Sequence, residues 1–162
     1  SSDLGAVSRS GGILQVVSTT KTDTFSSTST TLTNITGLSA TITPRSTSSK
    51  ILVNVTLGTI DANGIERIIL AMTRNGTKIG AGASAGSRTP TSASVSTAGA
   101  DYDQNASFAF LDSPSSTSSL TYQIQAGIPS TGTFYINRTN TDSDGAGTPR
   151  SISSITLIEV AG

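Results

Sequence analysis

Two short stretches of the chain place carboxylates at spacings that could do chemistry. Asn140-Thr141-Asp142-Ser143-Asp144-Gly145 sets oxygen ligands at alternate positions with glycine sixth, the opening of a calcium loop. The twelfth position is Ser151, where such a loop needs a bidentate glutamate, and no helical period flanks it. The stretch therefore reads as an Asx-rich turn. Asp101-Tyr102-Asp103 carries two carboxylates that would share one face of an extended segment, the minimum for glycoside hydrolysis. In a loop that spacing fixes nothing, and Tyr102 reads better as a surface ring for a sugar or a protein partner. Gly80-Ala81-Gly82-Ala83-Ser84-Ala85-Gly86 has the composition of a phosphate loop, but its spacing is wrong and it follows a hairpin rather than opening a helix.

The absent residue types narrow the chemistry further. Cysteine and histidine both number 0. There is then no thiol nucleophile, no disulfide framework and no Cys-ligated metal, and the usual base of serine hydrolases is missing. The expectation is a non-enzymatic protein without catalytic residues, cofactor or metal. A net charge of +0 and no run of basic residues argue against nucleic-acid binding. No apolar stretch approaches the length of a membrane helix. The first residues lack the basic-then-apolar pattern of a secretory signal, and Ser1 reads as the residue left by removal of an initiator methionine. Asn34, Asn54, Asn75, Asn105 and Asn137 each open an Asn-x-Ser/Thr triplet, but Asn54 sits within a strand pattern and glycosylation is not expected. Arginine outnumbers lysine, and its planar fork suits interfaces. Arg88 and Arg138, with Tyr102, are candidate partner contacts; Leu4, Val7 and Arg9 join them from the N-terminal segment.

The chain has 162 residues, of which 28 are Ser and 27 Thr. So many hydroxyls invite a reading of disorder, yet disorder also favours high net charge, which is absent here. Leu, Ile, Val and Phe together sit just above the range typical of disordered chains. With only 4 Phe and 3 Tyr the core has little surplus, which predicts help from self-association.

Hydrophobic periodicity points to strands throughout. Residues 1–12 read as a flexible arm ending in Gly11-Gly12, and residues 13–162 as one domain. Ile13-Leu14-Gln15-Val16-Val17 is a β-branched strand; residues 21–33 read as an exposed loop or edge strand, and Leu38-Ser39-Ala40-Thr41-Ile42 as a strand stopped at Pro44. In residues 50–60, Ile51, Val53, Val55 and Leu57 alternate with polar residues at period 2, with Leu52 as the exception. Asp61-Ala62-Asn63-Gly64 reads as a turn. Residues 65–73 are apolar on both faces, as in a central strand. Arg74-Asn75-Gly76-Thr77 carries the residue pair of a type I′ turn, since both central positions need positive φ. Residues 80–100 read as a long loop; 106–111, 120–126, 133–138 and 151–160 read as further strands. The result is an all-β, single-domain β-sandwich, jelly-roll-like, of about eight or nine short antiparallel strands.

Several of these fragments resemble a module found in virion proteins of tailed bacteriophages. The likeness is carried by Gly12-Ile13-Leu14-Gln15-Val16-Val17, Thr20-Lys21-Thr22-Asp23-Thr24-Phe25-Ser26, Thr36-Gly37-Leu38-Ser39 and Thr47-Ser48-Ser49-Lys50-Ile51-Leu52-Val53. Arg74-Asn75-Gly76-Thr77, Phe110-Leu111-Asp112-Ser113-Pro114, Tyr135-Ile136-Asn137-Arg138-Thr139 and Ser153-Ser154-Ile155-Thr156 extend it over roughly residues 12 to 160. That resemblance implies a β-sandwich on a phage particle, often trimeric, and brings no catalytic residues. The expected role is a homotrimeric capsid decoration or cement protein on the particle exterior, made in the host cytoplasm. It would hold the major capsid protein or another virion protein through its N-terminal arm. The alternatives are the receptor-binding tip of a tail or head fibre that recognises a host surface glycan and, remotely, a carbohydrate-active enzyme.

Overall fold

The computed structural model describes residues 10–64, 67–97 and 102–162. Leu4, Val7, Arg9 and Asp101, singled out from the sequence, lie outside the described residues, as does most of the expected arm.

Among the described residues there are eleven strands: β1 (Ile13–Lys21), β2 (Phe25–Ser27), β3 (Thr33–Ile42), β4 (Lys50–Ala62), β5 (Arg67–Arg74), β6 (Thr77–Ile79), β7 (Ala93–Ser96), β8 (Gln104–Asp112), β9 (Leu120–Gly127), β10 (Phe134–Ile136) and β11 (Ser153–Val160). Among the described residues there is no helix. Every ladder is antiparallel, and the strands form two sheets. The first runs β1-β11-β4, with β8 on the other edge of β4 and the short β10-β2 pair beside the far end of β4; the second runs β3-β9-β5-β6, with β7 also on β5. The order β1-β11-β4-β8 over β3-β9-β5-β6 is that of a jelly roll, in which the chain repeatedly crosses between the two layers.

The sequence alternation sets this arrangement. Ile51, Val53, Val55 and Leu57 of β4 face inward and are buried, opposite Leu70 and Met72 of β5 and Tyr122 and Ile124 of β9, all members of one core. β5 is buried over most of its length and is flanked by β9 on one edge and by β6 and β7 on the other. The Asn75-Gly76 turn has φ of 48° and 79°, the left-handed pair that the sequence requires.

The structure adds two strands that the residue pattern did not separate. β2 is a three-residue piece within the expected loop or edge segment, anchored by Phe25 against Phe134 with ring centroids 6.1 Å apart. β7 lies inside the expected long loop and pairs with β5 from Arg67↔Ser96 to Leu70↔Ala93. Asp61 and Ala62, read as the start of a turn, instead complete β4 and are fully buried. At Gly11-Gly12 the ladder continues past β1: the Gly11 N–H donates to the Ala161 carbonyl at 2.7 Å, and the Ala161 N–H to that of Gly12 at 2.8 Å.

Candidate functional site

Each functional surface here is built on a sheet face. On the outer face of the first sheet, register aligns one row across four strands: Val16↔Ile158, Ile158↔Leu52 and Leu52↔Leu111. Leu52, the residue that broke the alternation of β4, is the middle of this row. Val16 is 56% exposed and Leu111 47%, so the row is not covered within the chain. Ile13 and Val160 pair beside it and extend it toward the end of the sheet. The next rows are hydroxyl and small side chains: Ser18, Thr156, Asn54 and Ala109, then Thr20, Ser154, Thr56 and Ser107. They satisfy one another across strands, as in the 2.9 Å contact between the Ser18 and Thr156 hydroxyls. A shallow depression of about 420 Å³ between β4 and β8 is bordered by Asn54, Thr56, Ser107 and Ala109. Among the described residues, register places Lys50 at the end of this face and no carboxylate on it. The outer face of the second sheet is different. Its cross-strand pairs are polar, Thr41 with Thr121 and Asn34 with Gln125, each at 2.9 Å.

The second surface lies on that polar sheet. Arg67 and Ile69 project from the outer side of β5, Ser94 stands opposite Ile69 on β7, and Arg88 reaches in from the preceding loop. With Thr91 and Pro129 they line a cleft of about 590 Å³.

Among the described residues, Asp61, Asp112, Asp142 and Glu159 are engaged in structure. Asp61 accepts the N–H of Ala62 at 2.7 Å and that of Asn140 at 2.6 Å, tying the 139–149 loop to β4. Asp142, which the sequence offered as a calcium ligand, accepts from Arg150 at 3.0 and 2.8 Å and pairs with Arg138 at 3.5 Å. The Arg150 hydrogen bond is the main influence holding its carboxyl below the ordinary range. Among the described residues no group of three or more acidic side chains could hold a metal ion. Glu159 is fully buried; burial opposes its charge, but the Gln15 amide and the Arg45 N–H donate to it at 2.6 and 2.7 Å and hold its pKa down. Asp112 is clamped by Arg74 and Tyr122.

The sequence candidates are therefore separated. Arg88 lies in the cleft and Tyr102 is 58% exposed at the start of the segment leading into β8. Arg138 is occupied within its own loop: its side chain donates to the Thr139 and Asn140 carbonyls and stacks 4.3 Å above the Tyr135 ring. The sequence pattern grouped none of the outer-row residues and did not join Arg67 to Arg88. Leu52 was the one available signal, as an apolar residue at a polar position of the alternation.

No family model matches the chain, and no curated protein matches it. Among solved structures, a chain from the structure of infectious bursal disease virus Gx strain overlays with a TM-score of 0.42 at 16% identity, covering 94% of this chain and 39% of that one. The chain thus spans well under half the length of that neighbour. A likeness this loose says nothing about what the chain binds or builds.

Proposed function

We propose that this chain is a non-catalytic structural protein of a virion surface that self-assembles through the outer face of its first sheet, with capsid decoration as its role. The observation that carries the assembly reading is the uncovered row Val16–Ile158–Leu52–Leu111 on a face where, among the described residues, register places no carboxylate. A contiguous exposed apolar patch marks an interaction site. A second copy is the occupant the face fits: bringing it against another copy opposes no dense like charges, and a formal net charge of +0 leaves no long-range repulsion between copies. Four strands about 4.8 Å apart and about seven residues long give a face on the order of 450 Å². That falls short of the roughly 800 Å² per partner of a stable pair, whereas a closed ring lets each copy use this face and an adjoining edge. A closed ring is compatible with the trimer that the sequence resemblance implies. The virion assignment itself rests on that resemblance.

The test is the oligomeric state of the purified chain by sedimentation, beside a Leu52→Glu, Ile158→Glu double variant. Trimers that become folded monomers in the variant support the reading; a wild-type monomer, or a variant that remains trimeric, overturns it. On purified particles, decoration requires hundreds of copies bound to the shell. A few copies at a fibre would favour the second reading, a distal receptor-binding domain for a host surface glycan, which draws support from the arginine-lined cleft on the opposite sheet.

A further inference from the structure

We propose that the cleft between Arg67 and Arg88 binds a carboxylate-bearing sugar of an acidic glycan. This names the ligand class for the receptor-binding reading and rests on that reading only for where the glycan comes from; the binding itself is independent of whether the chain assembles. The cleft holds about 590 Å³, the scale of a small-ligand site. Two arginines line it, and none of the described residues that line it is acidic. Among the described residues neither arginine forms an ion pair, whereas Lys21, Arg74, Arg138 and Arg150 each pair with an aspartate. A neutral chain has thus left two arginines without an ion pair among the described residues lining one concavity, and a guanidinium fork can receive a carboxylate bidentately.

The rest of the lining selects a sugar. Ile69 and Pro129 offer a small apolar floor for the C–H face of a ring, and Thr91 and Ser94 bring hydroxyls that exchange hydrogen bonds with sugar hydroxyls. The rim is held in place rather than left to fold on binding. Gly82 N–H donates to the Thr91 carbonyl at 3.1 Å, Ser92 N–H to the Leu70 carbonyl at 2.8 Å, and the Lys78 ammonium to the Pro90 carbonyl at 2.9 Å. Arg88 is fixed by the Ala85 carbonyl, which accepts its backbone N–H at 3.2 Å and its side-chain Nη1 at 3.3 Å, so a ligand meets the other N–H groups of its fork. An acidic peptide would use the two cations but not the apolar floor and hydroxyls, so the glycan is the better match.

The full chain is applied to an array of glycans carrying uronic or sialic acids and their neutral counterparts, and the tightest binder is then titrated by calorimetry against its methyl ester and against oligoglutamate. Binding confined to carboxylate-bearing glycans, lost on esterification and weakened about tenfold or more in Arg67→Ala and Arg88→Ala, each worth at least one charge-assisted contact, supports the proposal. No acidic binder, equal binding of the ester, oligoglutamate binding as tightly, or unaffected variants would overturn it. Both arginines are exposed, so the variants are expected to fold, and circular dichroism checks this. Sedimentation of the same samples reads the assembly face separately, so either idea can fail alone.

Discussion

The Tyr122 hydroxyl donates to Asp112 Oδ2 at 2.7 Å, joining β9 of one sheet to the end of β8 in the other. Arg74, beside Tyr122 in the second sheet, donates to the same oxygen at 2.6 Å. Burial, then the adjacent carboxylate, pushes the phenol well above its ordinary pKa, so it remains a donor throughout the accessible pH range. Tyr122→Phe removes one donor and leaves the Arg74 pair, and is expected to cost about 1–2 kcal/mol. Asp112→Ala orphans both donors. It is expected to cost about 2–3 kcal/mol, below the value for a fully buried pair because Arg74 reaches solvent. Urea unfolding of the two variants checks the order; equal losses would show that the Arg74 pair contributes nothing of its own.

The β5–β6 turn gives a conformational prediction. Gly76 has φ of 79° and open space around its Cα, so Gly76→Ala meets no clash and the cost is purely that of left-handed backbone. About 1 kcal/mol is expected in denaturant unfolding with an unchanged m value. Asn75 does more, since its Oδ1 accepts the Thr121 N–H at 2.8 Å and ties the turn to the start of β9. Asn75→Ala loses that acceptor as well as tolerance of its φ, and should cost more than the glycine change.

That turn was legible because one dipeptide carries its own conformational requirement. β4 was legible for a similar reason: its apolar period is 2 and one face is core. β7 was not, because Ala93-Ser94-Val95-Ser96 holds little apolar surface and is defined by backbone pairing to β5. The arginine cleft depends on that pairing, so two residues far apart in sequence gave no sign that they would meet. The outer apolar row was hidden differently. Each member comes from a different strand, and only the register of four strands makes them neighbours. Asp61 was misplaced because an acid followed by Asn-Gly looks like a turn, whereas here two backbone N–H groups compensate its burial.

Those two hydrogen bonds make Asp61 the anchor of the 139–149 loop. Asp61→Asn keeps the volume but offers one acceptor where two N–H groups need one each, and leaves a buried N–H facing an amide nitrogen or unpaired. A loss of about 2 kcal/mol is expected, felt first as local opening. Amide exchange at Asn140 and protease cleavage within residues 139–149 should accelerate while the β4–β8 and β4–β11 ladders stay protected. Uniform loss of protection would mean that Asp61 supports the core as a whole and not the loop.

Glu159 sets the acid limit of stability. Its folded pKa lies below the ordinary value of 4.5, because the hydrogen bonds from Gln15 and Arg45 outweigh burial. A carboxyl depressed in the folded state contributes stability that is fully present above its unfolded pKa and is lost as pH falls through the folded one. Stability should therefore hold from neutrality to just above pH 4.5 and fall below it. Asp23 and Asp142 are also lowered, by Lys21 and by Arg150, but both pairs reach solvent and are screened by salt. Raising the ionic strength should flatten their share of the acid slope and leave that of Glu159. Glu159→Gln should lower stability at neutral pH, because a neutral amide replaces a charged acceptor, and shrink the remaining slope in high salt. Melting temperatures across pH 3 to 7 for both proteins, at low and high salt, measure this directly. An unchanged high-salt slope in the variant would assign the acid sensitivity to another carboxyl.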